Sequence, residues 1–401
     1  MTDVLFAGIR QPVRFLHCPM LLQQVRRFFH AWPHEVLSRP AGEPLIQVRA
    51  FGREAGSYDI RAPWIADSLR EPATASALCS LAIELVAAFC EEHPQITCLH
   101  AAAVRLGNNT ALLLGNNRAG KSTLVTGLMA HGQTCLGDDL VGVTEKGELL
   151  SFGIPPRLRL PLPPSGTLTE FVMKNKGIRD DLYQYVRAGH VLCAPFGQLS
   201  PLTHIIMLQR MSTGNAQLMR IGQSSGLIQL LPHYVMRKGS AETVLRQASR
   251  LTKETPVLLF RYADLDEAAA FLQSDLEISS AASQQSPGMQ DFLPDFSLTA
   301  GRAGEGPLSP ICYIQAPGAR LRMEHGSAFL IDGASSTVYG LNSLGESIWS
   351  MLKQPLSEAE AAFLLREAFQ EVDKGRIESD IIQLFSLLKE RKLIVEHRTE
   401  G

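Results

Sequence analysis

The sequence predicts an α/β phosphate-loop domain, preceded by an α+β N-terminal region and followed by a small C-terminal unit of winged-helix type. Three observations predict it. An apolar strand runs into a glycine-rich loop and out into a helix between residues 112 and 130. Strands and helices alternate from about 95 to 275, as in a twisted sheet with helices on its faces. A Ser/Gln/Gly-rich stretch then separates these from three short strand patterns and three helix patterns. The 401 residues exceed one ordinary domain, and 45% apolar residues suffice for two or three cores.

Residues 1–94 read as the α+β region, with a strand around Ile46 to Phe51 and a helix from Ala77 to Cys90. That helix is apolar almost all round, so it is expected to be buried on more than one side. No chemistry is visible there. Residues 95–273 carry the phosphate-loop domain: strand Ala101 to Leu106, strand Thr110 to Leu114, a helix to Ala130, strand Thr134 to Gly137, a proline-punctuated stretch from Ile154 to Gly166, strands Ile205 to Leu208 and Pro256 to Tyr262, and a closing helix from Leu265 to Leu272. Residues 274–310 have linker composition, too polar to order themselves by burial. Residues 311–401 offer strands Ala319 to Met323, Ala328 to Ile331 and Thr337 to Leu341, then helices Leu344 to Leu352, Glu358 to Phe369 and Ile377 to Leu388, with Ser357 as the N-cap of the second.

Lys plus Arg number 38 against 40 Asp plus Glu, a net charge of −2 that gives no electrostatic reason for a nucleic-acid or membrane partner. The seven cysteines form no C-x-x-C pair and are expected to be reduced. No segment approaches eighteen apolar residues, and the N-terminus lacks a basic region followed by an apolar stretch, so a cytoplasmic protein is expected. Oligomeric state is not legible.

The chemistry starts in the loop. Gly115, Asn116, Asn117, Arg118, Ala119, Gly120, Lys121, Ser122 and Thr123 match G-x-x-x-x-G-K-[ST], in which backbone N–H groups surround a phosphate, the lysine reaches the β and γ oxygens and the Ser122 hydroxyl is placed on Mg²⁺. Asp138 and Asp139 end the next strand, seventeen residues after Lys121. In a right-handed βαβ unit both strands end on the same sheet edge, which puts the pair beside the loop. One carboxylate can then serve the metal and the other accept a proton from an attacking hydroxyl; an Asp pair capping a turn fits the same residues. His100 precedes the strand leading to the loop, a position that suits packing as well as function. Arg157 and Arg159 alternate along one face of an extended segment, either to neutralise phosphate or as a solvated edge. His190, His204 and His233 read as packing residues.

The order Leu99-His100-Ala101, Leu112 to Thr123, Gly132 and Leu136-Gly137-Asp138-Asp139 resembles the HPr kinase/phosphorylase family over residues 95–272, with Pro155 to Arg159 and Pro201 to Leu208 as further similar segments. The resemblance implies ATP and Mg²⁺ as cofactors, His100 and the Asp pair as active-site members, Asp138 as the base and Asp139 beside the metal. The chain departs from that family where a metal-site Glu and the HPr-binding signature would stand, showing Arg157 and Arg159 among prolines and no acid until Glu170. HPr itself is therefore not the expected substrate.

Val338 to Trp349 resembles the PqqD family, a small winged-helix fold that recognises leader peptides, over residues 311–396. That resemblance implies strand addition of a precursor's leader, here with Tyr339 and Leu341 on the third strand and Ile381, Phe385 and Leu388 on the third helix; plain core is the other reading of the helical residues. Together the two likenesses imply an ATP-dependent kinase acting on a Ser or Thr of a ribosomally made precursor peptide, possible company being other peptide-modifying enzymes. A non-catalytic nucleotide-binding scaffold that delivers a peptide, and a kinase of small molecules, are the alternatives.

Overall fold

In the computed structural model, which describes residues 1–51, 56–116, 118–236, 240–274, 307–332, 337–368 and 374–397, the N-terminal region holds β1 (Thr2–Phe6), β2 (Val13–Leu16), α1 (Pro19–Phe28), β3 (His34–Val36), β4 (Ile46–Ala50), β5 (Tyr58–Arg61), β6 (Leu69–Glu71) and α2 (Thr74–Glu92). Then come β7 (Ile96–Leu99), β8 (Ala102–Leu106), β9 (Asn109–Leu114), α3 (Lys121–Ala130), β10 (Thr134–Gly137), β11 (Val141–Thr144), β12 (Glu148–Leu150), β13 (Arg157–Arg159), α4 (Gly166–Lys174), β14 (Lys176–Arg179) and β15 (Tyr183–Val186). Next are β16 (Leu199–Pro201), β17 (His204–Arg210), β18 (Gln217–Arg220), α5 (Gln223–Leu230), β19 (Tyr234–Met236), α6 (Ala241–Glu254), β20 (Val257–Tyr262) and α7 (Leu265–Ser274). The C-terminal elements are β21 (Cys312–Gln315), β22 (Arg320–Glu324), β23 (Ser327–Asp332), β24 (Thr337–Leu341), α8 (Ser343–Met351), β25 (Leu356–Ser357), α9 (Glu358–Ala368), α10 (Lys374–Glu390) and β26 (Ile394–Glu396). The stretch 275–306, most of the expected linker, lies outside the described residues.

The protein is a mixed α/β chain in two compact units. The first comprises Met1–Ile221, His233–Lys238 and Lys253–Ser286; the second comprises Gly222–Pro232, Gly239–Thr252 and Pro287–Gly401. Among the described residues the first unit has a sheet ordered β3-β1-β2-β4-β5-β6, a central sheet β10-β8-β9-β17-β20-β18, a sheet β16-β12-β11-β7-β19 and a small sheet β13-β15-β14. In the central sheet β9, β17 and β20 are parallel neighbours, and β8 pairs antiparallel with both β9 and β10. β9 and β10 therefore point the same way with β8 between them, so both end on one edge of the sheet, as a βαβ unit requires.

Helix α2 corrects one expectation. Its 19 residues are long and apolar enough, by length and composition, to cross a membrane. Here they are core: Leu78, Leu81, Leu85 and Val86 are fully buried and share a core with Phe6 of β1 and with Phe29 and Trp32 of the segment between α1 and β3. The same cluster runs on into Phe152 and Tyr185, so residues 1–94 and the following domain share one core.

In the second unit the central strand of the sheet β22-β23-β24 is buried on both faces. Ala328 and Leu330 of β23 face a core built with α8, α9 and α10, which includes Trp349, Leu365 and Phe385. Phe329 and Ile331 point to the opposite face by strand alternation and are equally buried. Helices α5 and α6 reach that second face. Ile228 of α5 stands against Gly340, cross-strand partner of Phe329; Ser249 of α6 donates to Glu324 at 2.6 Å, Thr252 hydrogen-bonds His325 at 3.2 Å, and Glu242 pairs with Arg322. A sequence boundary at 273/274 leaves α5 and α6 with the phosphate-loop domain, whereas their packing puts them with the C-terminal sheet. The apolar run Ala328 to Ile331 is the local sign of it, because a strand covered on one side alternates. Ser357 caps α9 as expected, and Glu360 returns the bond to the Ser357 N–H, completing a capping box.

Phe329→Ala is expected to cost the second unit about 3–5 kcal/mol, as much as a residue of its main core. A denaturant melt followed by hydrogen exchange at β23 checks this; a loss under about 1 kcal/mol would mean that the second face of the sheet is not truly buried.

Candidate functional site

The glycine-rich loop links β9 to α3. Gly120 adopts φ +92°, and a Cβ there would collide with the Tyr262 hydroxyl, which donates to the Ala119 carbonyl at 3.1 Å. At Gly115 a Cβ would meet the Ala119 side chain at 2.8 Å. Both glycines are therefore needed for the loop to close. Helix α3 opens at Lys121 with no side chain capping its first N–H groups, which leaves them and the positive end of the helix dipole turned to the loop. Lys121 is buried, and its Nζ donates to the Gly115 carbonyl at 2.8 Å. Burial draws its pKa below the usual lysine value, against the pull of Asp139 and Asp138. Asn116 and Arg118 are exposed, Ala119, Ser122 and Thr123 are half-buried, and Asn117 lies outside the described residues.

The two aspartates after β10 sit in different environments. Asp138 is 2% exposed; its Oδ2 accepts from the Arg157 N–H at 3.0 Å, and its Oδ1 has no hydrogen-bond partner. Burial first, and the neighbouring Asp139 charge second, raise its pKa to about 7, against the Arg157 N–H and the Ser122 hydroxyl. Asp139 takes a left-handed φ of +64°, turning its side chain away from its neighbour's. Its Oδ2 accepts from the Arg157 guanidinium at 2.9 Å, and His100 Nε2 lies 3.6 Å from its Oδ1. Burial opposes its ionisation, but His100, Arg157 and Lys121 outweigh it and hold its pKa below the ordinary value.

Arg157 is fixed from several sides. Besides both aspartates it meets the Cys79 Sγ of α2 at 2.8 Å and lies 4.6 Å over the Tyr183 ring. His100 is positioned through its backbone: its N–H donates to the His233 carbonyl, while His233 Nδ1 meets the His100 carbonyl at 2.9 Å. Burial lowers the His233 pKa to about 4, so that ring is neutral near pH 7.

The structure thus brings together Lys121, Ser122, Asp138, Asp139, His100 and Arg157. Arg159 is exposed on the same strand, and no hydrogen bond or ion pair joins it to the two aspartates. His204 is buried against Thr203, as a packing residue should be. Cys79 and Tyr183 were not legible in the sequence. No local pattern ties α2 to Arg157, 78 residues on, although an arginine among prolines beside two acids signals that it needs fixed partners. Tyr339, Leu341, Ile381, Phe385 and Leu388, expected as peptide contacts, are all core residues of the second unit, between 0% and 7% exposed. Their side chains offer nothing to a ligand in this arrangement; what β24 offers is its backbone edge, as an outer strand of its sheet.

Residues 327–394 match the family model described as Coenzyme PQQ synthesis protein D (PqqD). No curated protein matches the sequence. Among solved structures, the Hpr(Ser) kinase/phosphatase from Coxiella burnetii aligns with 45% of this chain and 88% of its own at 9% identity, with a TM-score of 0.23.

The environment of Asp138 has a consequence for stability. Folding raises this carboxyl from an ordinary 3.8 to about 7, so the stability it contributes is full below about pH 4 and is lost as pH rises through 7. Asp138→Asn, neutral throughout, should therefore melt on the order of 5 °C above the native chain at pH 8.5, the gap opening between pH 4 and 7. Calorimetry across that range checks it; a variant that melts lower at pH 8.5 would contradict the placement of a buried carboxyl here.

Proposed function

We propose that the chain is an ATP-dependent kinase that phosphorylates a serine or threonine of a ribosomally made precursor peptide, whose leader is held by the winged-helix-like C-terminal unit. One observation carries the catalytic half of this reading: a buried carboxyl with a free oxygen and a pKa about 7 stands beside the lysine of a glycine-rich loop.

In this reading the loop N–H groups, the open end of α3 and Lys121 hold the β and γ phosphates. Ser122 and Asp139 would hold Mg²⁺; a hydroxyl and a carboxylate are the hard oxygen donors it takes, and it keeps water in its other positions. Bound there, the ion neutralises phosphate charge. Because Arg157 and His100 already occupy the Asp139 oxygens, a contact through water suits this carboxylate better than a direct one. Asp138 Oδ1 receives the proton of the acceptor hydroxyl as that oxygen bonds to the γ phosphorus and the bond to the ADP oxygen breaks. Arg157 keeps Oδ2 engaged so that Oδ1 is the oxygen left free, and Arg159 is available to neutralise phosphate from the same strand.

The PqqD match at residues 327–394 supports the peptide half. A leader adding to the edge of β24 would raise the local concentration of the core peptide to about millimolar, so the catalytic site need recognise little sequence. A second reading, a nucleotide-binding scaffold without catalysis, is favoured by the occupied Asp139 oxygens and by the absence of any acid between Glu148 and Glu170. ATP turnover separates the two.

Labelled γ-phosphate is expected to pass to a precursor peptide and to stop passing on Lys121→Ala. Asp138→Asn should cut kcat by roughly 10²–10⁴ while ATP still binds, and kcat/KM should fall below pH about 7 as Asp138 takes up a proton. ATP binding with no transfer to any peptide would overturn the kinase reading in favour of the scaffold.

A further inference from the structure

A cavity of about 370 Å³ in the first unit plays no part in the chemistry above. Arg27 of α1, Lys176 and Arg179 of β14, and Arg187 just after β15 converge on it, and no carboxylate lines it. None of these four side chains has an ion-pair or hydrogen-bond partner among the described residues. Four cations gathered from three segments around one cavity repel one another, a cost that a bound anion removes. The volume is within the range of ligand sites.

The walls indicate what form the anion takes. All four residues of β14 line the cavity, and β14 is an outer strand of the sheet β13-β15-β14. Its outer N–H and C=O groups have no strand partner among the described residues, so an extended chain can pair with them. Lysine and a register shift on an edge strand also protect against unwanted pairing, but edge protection does not call for Arg27 and Arg187 across the cavity. Tyr185 and Pro155 form the wall toward the candidate active site: Tyr185 is the cross-strand partner of Arg157, and Pro155 lies two residues before it. Arg157 is the residue whose N–H holds Asp138. A small free anion would use the charges and leave the strand edge and this adjacency without purpose.

We propose that the cavity binds an acidic segment of the acceptor peptide as an added strand on β14, its carboxylates meeting Arg27, Lys176, Arg179 and Arg187. The proposal rests on the peptide-kinase reading for its occupant and selects, as substrates, peptides with Asp or Glu a few residues from the phosphorylated position.

The test is binding of a fluorescein-labelled Val-Glu-Val-Glu-Val-Glu peptide to the full chain, measured by anisotropy, with the glutamine analogue and inorganic tripolyphosphate as comparisons. The glutamate peptide should bind and the glutamine peptide bind at least about tenfold more weakly. The Lys176→Glu/Arg179→Glu and Arg27→Glu/Arg187→Glu double variants should each lose about tenfold or more in affinity for the glutamate peptide, with ATP affinity retained as proof of folding. Equal binding of the two peptides, or undiminished binding by both double variants, overturns the proposal. Tripolyphosphate binding that persists with ATP saturating the loop and is lost in the double variants, without peptide binding, overturns it too, in favour of a small-anion site. No phosphate transfer is measured, so failure here is distinct from failure of the kinase reading.

Discussion

Arg157 touches both carboxylates of the adjacent pair Asp138 and Asp139, and the site is arranged around it. Its backbone N–H holds one oxygen of Asp138, and its guanidinium holds one oxygen of Asp139. Neighbouring acids, one buried and one half-buried, resist being ionised together, so the one given the cations is the one that ionises readily and the other is left with a raised pKa. The left-handed backbone at Asp139 turns that side chain to Arg157 and His100, while Asp138 stays in the interior beside Ser122. The difference in pKa between the two thus follows from the deeper burial of Asp138 and from the His100 and Arg157 contacts of Asp139, with Arg157 itself held by Cys79 and Tyr183.

This dependence explains why residues 1–94, silent in sequence, are not a mere attachment. α2 carries Cys79 to the guanidinium, and the core it anchors continues to Tyr185, which stands opposite Arg157 in the small sheet. Loss of packing around α2 would free Arg157 and let the two aspartates converge in pKa, so a remote cavity in this helix can act on the site without touching a substrate.

What was legible in the sequence was local. The strand, loop and helix around Lys121, the strand ending just before Asp138, and β22, β23, β24 and the three helices of the C-terminal unit depend on short-range patterns of glycine, apolar period and capping, and they occur where those patterns put them, whereas the short strands β21, β25 and β26 were not legible. Contacts between distant segments were not legible. Cys79 meets Arg157 across 78 residues, α6 reaches its sheet across 73 to 80 and α5 from further still, and neither leaves a periodic trace except the unbroken run Ala328 to Ile331. The helical peptide-contact residues rested on an ambiguous signal: Ile381, Phe385 and Leu388 recur at helical spacing, which marks a core stripe and a binding stripe alike, and in the structure they stand in the core.

The central claim is that Asp138, and not Asp139, is the carboxyl poised near neutrality. Titration of the two ¹³C-labelled aspartate carboxyl resonances in the full chain, assigned through Asp138→Asn and Asp139→Asn, tests it most directly. A midpoint about 7 is expected for Asp138 and one below the ordinary 3.8 for Asp139. Midpoints near 4 for both, or the reverse order, would contradict it.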